Sequence, residues 1–281
     1  MTRFAGGLRS VADSHFLASD EDGRDAARHN AAAWDRLARE AAPLARPATD
    51  AEFRDPLKQL DPLGWLGGDV RGQRILCLAA GGGRQSALYA AAGAQVTVVD
   101  VSGEMLALDR AVARERGLSV RAIQASMDAL PMLAADEFDA VVHPVSTCYV
   151  PDVQRVFREV ARVLRPGGVY VSQHKSPVSL QTTLAPGPHG YALVQPYYQR
   201  GPLPPVGPHG GRLREPGTRE YLHRWEELIG GICRAGFIVE DFVEPVHAKQ
   251  DAAVGSHGHR GQFVAPYVRI KARRRPRQAA P

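Results

Sequence analysis

Apolar runs rich in β-branched residues alternate with stretches of helical period along the middle of the chain. ILCLAA over 75–80 predicts a buried strand, and RQSALYAAAG over 84–93 predicts a helix stopped by Gly93. QVTVVDV (95–101) predicts a second strand and GEMLALDRAVARERG (103–117) a second helix ending at Gly117. Weaker strand character follows at 119–127, then a fourth strand at FDAVVHPV (138–145). Residues 151–164 fit a helix with Pro151 near its start and Val153, Val156, Phe157, Val160 and Leu164 on one face. Pro166-Gly167-Gly168 then turns the chain into a fifth strand, VYVSQH (169–174). Strands that alternate with helices over short connections run parallel and are joined by right-handed crossovers. Strands apolar throughout need cover on both faces. The expected fold is therefore α/β, with a doubly wound, mostly parallel sheet that binds ligands at the carboxyl ends of its strands.

Outside this core the pattern changes. Residues 176–218 hold nine prolines and seven glycines, so a Pro/Gly-rich cap or lid is expected there. A helix is expected over 219–236, a sixth strand over 237–245 and a seventh over 263–272, with Pro266 fitting poorly in a sheet interior. NAAAWDRLAREAA (30–42) reads as a helix capped by Asn30, within a helical extension over 1–70 that packs across the sheet. The expected organisation is thus the extension at 1–70, a binding core at 71–175, the cap at 176–218, a completing segment at 219–272 and a basic tail at 273–281.

The chain has 281 residues, 44% of them hydrophobic, enough for one large α/β core. No apolar run approaches the ~20 residues of a membrane helix. The first residues lack the long apolar stretch of a secretory signal; bearing arginine and free of acids up to Asp13, they also fit a transit peptide. Cys77, Cys148 and Cys233 form no CxxC pair, which suits a reducing, cytoplasmic setting, with Cys77 and Cys233 expected as small buried hydrophobes. The net charge of +5 is local: Arg269, Lys271, Arg273, Arg274, Arg275 and Arg277 crowd the end, leaving the remainder nearly neutral. Such an end is usually solvated, and nucleic acid is not the expected partner.

Ala79-Ala80-Gly81-Gly82-Gly83 lies between a strand and a helix, where glycines let backbone approach a ligand closely. Asp100 ends the next strand, placed to bond a ribose diol. Dinucleotides and S-adenosylmethionine are both held this way. ILCLAAGGGRQS, VVDVSGEML (98–106), ASMDALP (125–131), FDAVVHP (138–144) and RVLRPGGVYV (162–171) together resemble the class I S-adenosylmethionine-dependent methyltransferases, in order and in register over 74–174. The resemblance implies a Rossmann-like seven-stranded sheet with its last strand antiparallel, and S-adenosyl-L-methionine as cofactor. It implies backbone at Ala79, Gly81 and Gly83 beside the methionine moiety, Asp100 on the ribose hydroxyls, Val101 and Met105 against the adenine, and Ser126 and Met127 at its edge and face. His143 would begin the loop nearest the sulfonium. Two departures stand out: Cys77 occupies the place of the motif's opening acid, and Ala79 that of its first glycine. Ser86 fits less well than glycine at the third position of a dinucleotide fingerprint, so an NAD-dependent oxidoreductase is the weaker alternative.

Methyl transfer asks for alignment and exclusion of water, and for a base if the acceptor carries a proton. His143 and His174 follow the fourth and fifth strands and are expected at the active rim as candidate bases, together with Tyr149. His189, His209, His247, His257 and His259 should gather at the same end. Tyr149, His174, Tyr197 and Tyr198 are expected to wall the acceptor, with Trp34 a further aromatic candidate. No cysteine or acid spacing supports a metal beside His257 and His259. The chain lacks the Asp/Asn-Pro-Pro-Tyr/Phe of nucleic-acid amino methyltransferases, carrying His143-Pro144-Val145-Ser146 instead. A small organic acceptor methylated on oxygen or nitrogen is expected. RNA or protein methylation, and a cofactor-binding protein of reduced activity, are the remaining alternatives.

Overall fold

The structure is a computed structural model that describes residues 19–207 and 213–276. Seven strands form one sheet: β1 (Arg74–Leu78), β2 (Gln95–Asp100), β3 (Val120–Gln124), β4 (Phe138–His143), β5 (Leu164–Lys175), β6 (Phe237–Val243) and β7 (Tyr267–Arg274). Their order is β3-β2-β1-β4-β5-β7-β6. The first five run parallel. β7 runs antiparallel to both β5 and β6. The order reverses between β1 and β4, and that switch point opens the crevice where such sheets bind ligands.

β1 shows how the layers are built. Leu76 and Leu78 pack with Phe157, Val160 and Leu130 on one face, while Ile75 and Cys77 pack with Tyr89 and Leu106 on the other. The helices α4 (Gln85–Ala91), α5 (Gly103–Glu115) and α6 (Val153–Val163) follow β1, β2 and β4 respectively. α6 buries Val153, Val156, Phe157, Val160 and Val163, the face expected from its period. Leu164 is buried too, as the first residue of β5.

α1 (Asp20–Arg39) starts ten residues earlier than the helix expected at Asn30. Its cap is Ser19, whose hydroxyl accepts from the Asp22 amide at 3.1 Å, while the Asp22 carboxylate accepts from the Ser19 amide. Asp20, Glu21 and Asp22 in the first turn add to this N-terminal stabilisation. Asn30 is buried in mid-helix. Short helices α2 (Asp50–Phe53) and α3 (Pro56–Leu60) complete the region before β1.

The helix expected over 219–236 is confined to its second half, a π-type turn at Glu226–Gly230 leading into α8 (Gly231–Arg234). Tertiary partners hold the first half extended. The Tyr221 amide donates to Cys148 O at 2.7 Å, the Arg219 amide to Asn30 Oδ1 at 2.8 Å, and the His223 ring nitrogen lies 3.0 Å from the carbonyls of Thr147 and Val150. Among the described residues of 176–218 regular structure is limited to α7 (Pro177–Gln181) and isolated bridges. α9 (His257–Arg260) precedes β7.

Two further expectations change. Cys233 is exposed rather than buried, whereas Cys77 and Cys148 are interior. The basic end is largely β7 itself: Lys271 and Arg273 pair with Glu240, and Arg274 pairs with Asp136. His209, Arg277 and the first 18 residues lie outside the described residues. No helix among the described residues is long and apolar enough to cross a membrane.

Candidate functional site

The glycine bend is held by two carboxylates. Asp100, ending β2, accepts from the Gly81 amide through Oδ2 and from the Ser102 amide through Oδ1, each at 2.9 Å. Asp109, on α5, accepts from the Gly82 amide at 3.0 Å, the Gly83 amide at 3.1 Å and the Ser86 hydroxyl. Burial raises the pKa of both acids, that of Asp109 to about 6, against the lowering effect of their hydrogen bonds. Cys77 lies fully buried in the strand below and takes no part in the bend. Ala79 adopts φ +48°, a left-handed conformation that suits glycine far better.

The bend forms one wall of a cavity of about 470 Å³. Ala79, Gly81, Asp100, Val101, Met105, Ser126 and Met127 line that side. A Cβ at Gly81 would stand 2.8 Å from Met105 Cβ and 3.0 Å from the Asp100 carboxylate, so the crevice depends on a bare backbone there. Gly83 does not line the cavity; a Cβ on it would press 2.9 Å from Val112, which makes it a packing glycine of the bend. Ser126 donates to Asp128 Oδ1 at 2.5 Å.

α1 closes the cavity from above through Asn30 and Trp34. Asn30 Nδ2 donates to Tyr149 O at 3.0 Å and Arg219 O at 3.1 Å, so one buried amide ties α1 to two other segments. The opposite wall comes from the β4, β5 and β7 side: Val145, Ser146 and Tyr149 after β4, Gln173 on β5, Tyr267 on β7, and Glu215 from the capping segment. Trp34 meets the Tyr149 ring edge-on, centroids 5.8 Å apart. The Tyr149 hydroxyl donates to Glu215 Oε2 at 2.5 Å, and Lys175 Nζ donates to the same oxygen at 2.8 Å.

A family model described as a methyltransferase domain matches residues 76–172, which cover the sheet from β1 to β5 with the bend and Asp100. The uncharacterized methyltransferase YbaJ of Bacillus subtilis is 36% identical over 194 residues, spanning 67% of this chain and 74% of that protein. The chain belongs to the class I S-adenosylmethionine-dependent methyltransferases. The ubiquinone biosynthesis O-methyltransferase of Aeromonas salmonicida is 35% identical over 129 residues, 44% of this chain and 54% of that protein. A crystal structure of an S-adenosylmethionine-dependent methyltransferase from Mesorhizobium loti superposes with TM-score 0.62 at 24% identity, over 79% of this chain and 100% of that one, and so shares its fold.

S-adenosylmethionine is the cofactor of this methyltransferase, and the donor set suits it. The cavity presents a small-residue bend, a carboxylate held by backbone amides, and the apolar surface of Val101, Met105 and Met127.

Several expected site residues are not brought together. His143 is buried, with Nδ1 2.8 Å from the Tyr170 hydroxyl and Nε2 2.6 Å from Ser146 Oγ. His174 is buried between Thr147 and Ser172, each 2.8 Å from one ring nitrogen. Both side chains sit beneath the rim against Phe157 and Tyr170 rather than in the cavity, because alternate strand residues face the layers, not the crevice. Burial lowers the pKa of each, His143 to about 3, which makes them poor bases. Neither ring lines the cavity. Tyr197 and Tyr198 pack on each other, with Arg224 over Tyr198, on the outer surface; Tyr198 is 74% exposed, and neither reaches the cavity. Among the described residues no three His, Cys, Asp or Glu side chains group as a metal site.

Asp109, Asn30, Lys175 and Glu215 were missed. Asp109 had a signal, an acid on the inward face of α5 one turn from Met105. The other three depend on contacts between segments far apart in the chain.

Proposed function

We propose that this methyltransferase moves a methyl group from S-adenosylmethionine to an oxygen or nitrogen of a small organic acceptor held beneath α1 and the 176–218 segment. The observation that carries the reading is the partial cover over a cavity that cofactor and acceptor would share. α1 above and Glu215 to the side leave about 470 Å³, a compartment sized for small molecules. The O-methyltransferase named among the relatives adds support for oxygen.

In this reading Ala79 and Gly81 offer backbone to the methionine moiety, with Gly83 shaping the bend, and Asp100 takes the ribose hydroxyls. Val101 and Met105 pack on the adenine, and Ser126 and Met127 meet its edge and face. Arg46 and Arg84, the latter already bonded to Glu52, are cavity-lining cations suited to a carboxylate. When bound, the cofactor supplies an electrophilic methyl on a positively charged sulfur. The chain's own work is to align the acceptor and exclude water. Tyr149 and Trp34 do this as the acceptor's aromatic wall.

The test is to incubate the protein with methyl-labelled cofactor and, separately, the low-molecular-weight and macromolecular fractions of a metabolite extract. Label in an organic-extractable small product is expected. Label confined to protein or RNA would overturn the small-acceptor reading.

A further inference from the structure

The sheet order divides the cavity. The bend, Asp100 and Met127 stand over β1, β2 and β3, whereas Tyr149, Gln173 and Tyr267 stand over β4, β5 and β7. The first half holds everything suited to an adenosine, so the second half is left for the acceptor. Among the described residues its one charged wall residue is Glu215.

Glu215 belongs to a buried chain of charges. Lys175 Nζ donates to Glu215 Oε2 at 2.8 Å and to Glu220 Oε1 at 2.6 Å, and Arg214 Nε donates to Glu220 Oε2 at 2.5 Å. Two carboxylates and two cations balance, so the cluster is neutral. Such clusters cost desolvation, and replacement by apolar residues is often neutral or stabilising, which makes packing alone a weak reason for this one. The donors from Tyr149 and Lys175 converge on Glu215 Oε2. They use two of the roughly four acceptor positions of a carboxylate. The group is thereby fixed in direction and still able to accept from a ligand. Trp34, Val145 and Val150 add apolar surface to the same cavity.

We propose that Glu215 is the acceptor-recognising residue of this methyltransferase and that it selects a neutral hydroxyl compound with an apolar body over an amine. This rests on the function proposed above and narrows its acceptor. A hydroxyl can give its hydrogen to the carboxylate and keep lone pairs for the methyl group. An ammonium held by a carboxylate has no lone pair and cannot attack. It would also place a second cation on the oxygen pair already serving Lys175, close to a cationic sulfur. A carboxylic acid acceptor would be repelled by Glu215.

The experiment uses the full chain loaded with S-adenosylhomocysteine and titrated calorimetrically with 4-ethylphenol, 4-ethylanisole and 4-ethylbenzylamine. These probes share one apolar body and differ in the polar group. The phenol is expected to bind at least tenfold tighter than either of the others. Glu215→Gln should bring the three within about threefold while S-adenosylhomocysteine affinity stays within twofold. A preferred amine, a phenol preference untouched by E215Q, or no probe binding to the loaded protein would overturn the inference. If E215Q fails to fold, Tyr149→Phe, which keeps Glu215 but frees one of its anchors, should shrink the phenol preference; an undiminished preference would equally overturn it. Failure of S-adenosylhomocysteine itself to bind would be a distinct result, and would remove the proposed function first.

Discussion

At the scale of single residues, the bend after β1 combines one strained position with one position where nothing but hydrogen fits. Ala79 carries a Cβ at φ +48°, where an L side chain costs about 1–2 kcal/mol. Part of that is offset in Ala79→Gly by the greater freedom of glycine in the unfolded chain. A net gain of about 0.5–1 kcal/mol is expected, read as a higher urea midpoint with unchanged slope. Gly81→Ala should act in the opposite sense. Its Cβ would meet Met105 Cβ at 2.8 Å and the Asp100 carboxylate at 3.0 Å, so the carboxylate must turn. S-adenosylhomocysteine affinity should fall tenfold or more, by calorimetry. The sequence marks the bend and Asp100 plainly, because small residues and an acid at those places have little other use. Asp109 is less visible: its partners are the amides of Gly82 and Gly83, and backbone donors leave no trace in residue types.

At the scale of elements, Asn30 is the buried tie of α1, which is also held nearer its surface by His29 and Arg36 to the carbonyls of Gly217 and Pro216 and by Asp35 to Ser102 and the Glu104 amide. Asn30 makes three hydrogen bonds from a buried position to segments over a hundred residues away. Asn30→Ala leaves those partners without a buried mate and should cost about 2–3 kcal/mol. It should also loosen α1 from the cavity, seen as faster amide exchange over 20–39 than in the native chain. The start of this helix was legible and was misplaced. Ser19, followed by Asp20, Glu21 and Asp22, is a capping signal, whereas Asn30 gave a false one because capping and buried clamping draw on the same residue type. The half-helix at 219–225 was not legible. Its period is helical, but bonds to Cys148 and Asn30 draw it out, and such partners are not local. Strands β1, β2 and β4 were read to within two residues because each is a short, largely apolar run with punctuation on both sides, whereas β5 begins at Leu164, five residues before its expected start, and β3 mixes polar residues into a shorter run than expected.

At the scale of the whole molecule, the topology was read from alternation, while the acceptor half of the cavity was not. Histidines were placed at the rim because they follow strands, yet alternate residues there point into the layers. That arrangement has a consequence for stability. His143, His174 and His223 are buried neutral, with pKa values lowered by burial. The unfolded chain binds their protons near pH 6.5 and the folded chain does not, so stability rises with pH across that window and is lost as pH falls from about 6.5 toward 3. Asp109, raised to about 6, works in the reverse direction between about 4 and 6, joined by Asp100 and Glu220, which burial also raises. His143 alone should cost roughly 2 kcal/mol at pH 5 relative to pH 7. Urea unfolding at the two values should show the lower midpoint at pH 5, and a higher midpoint there would contradict the buried neutral histidines. The cavity itself is tested most directly by calorimetric titration of S-adenosylhomocysteine into the native chain and Asp100→Asn, with NAD as comparison. One molecule per chain should bind, NAD should not, and the variant should lose about tenfold or more, from ~1.5–3 kcal/mol of charge-assisted hydrogen bonding. An unchanged affinity in the variant, or tight NAD binding without S-adenosylhomocysteine binding, would contradict the account.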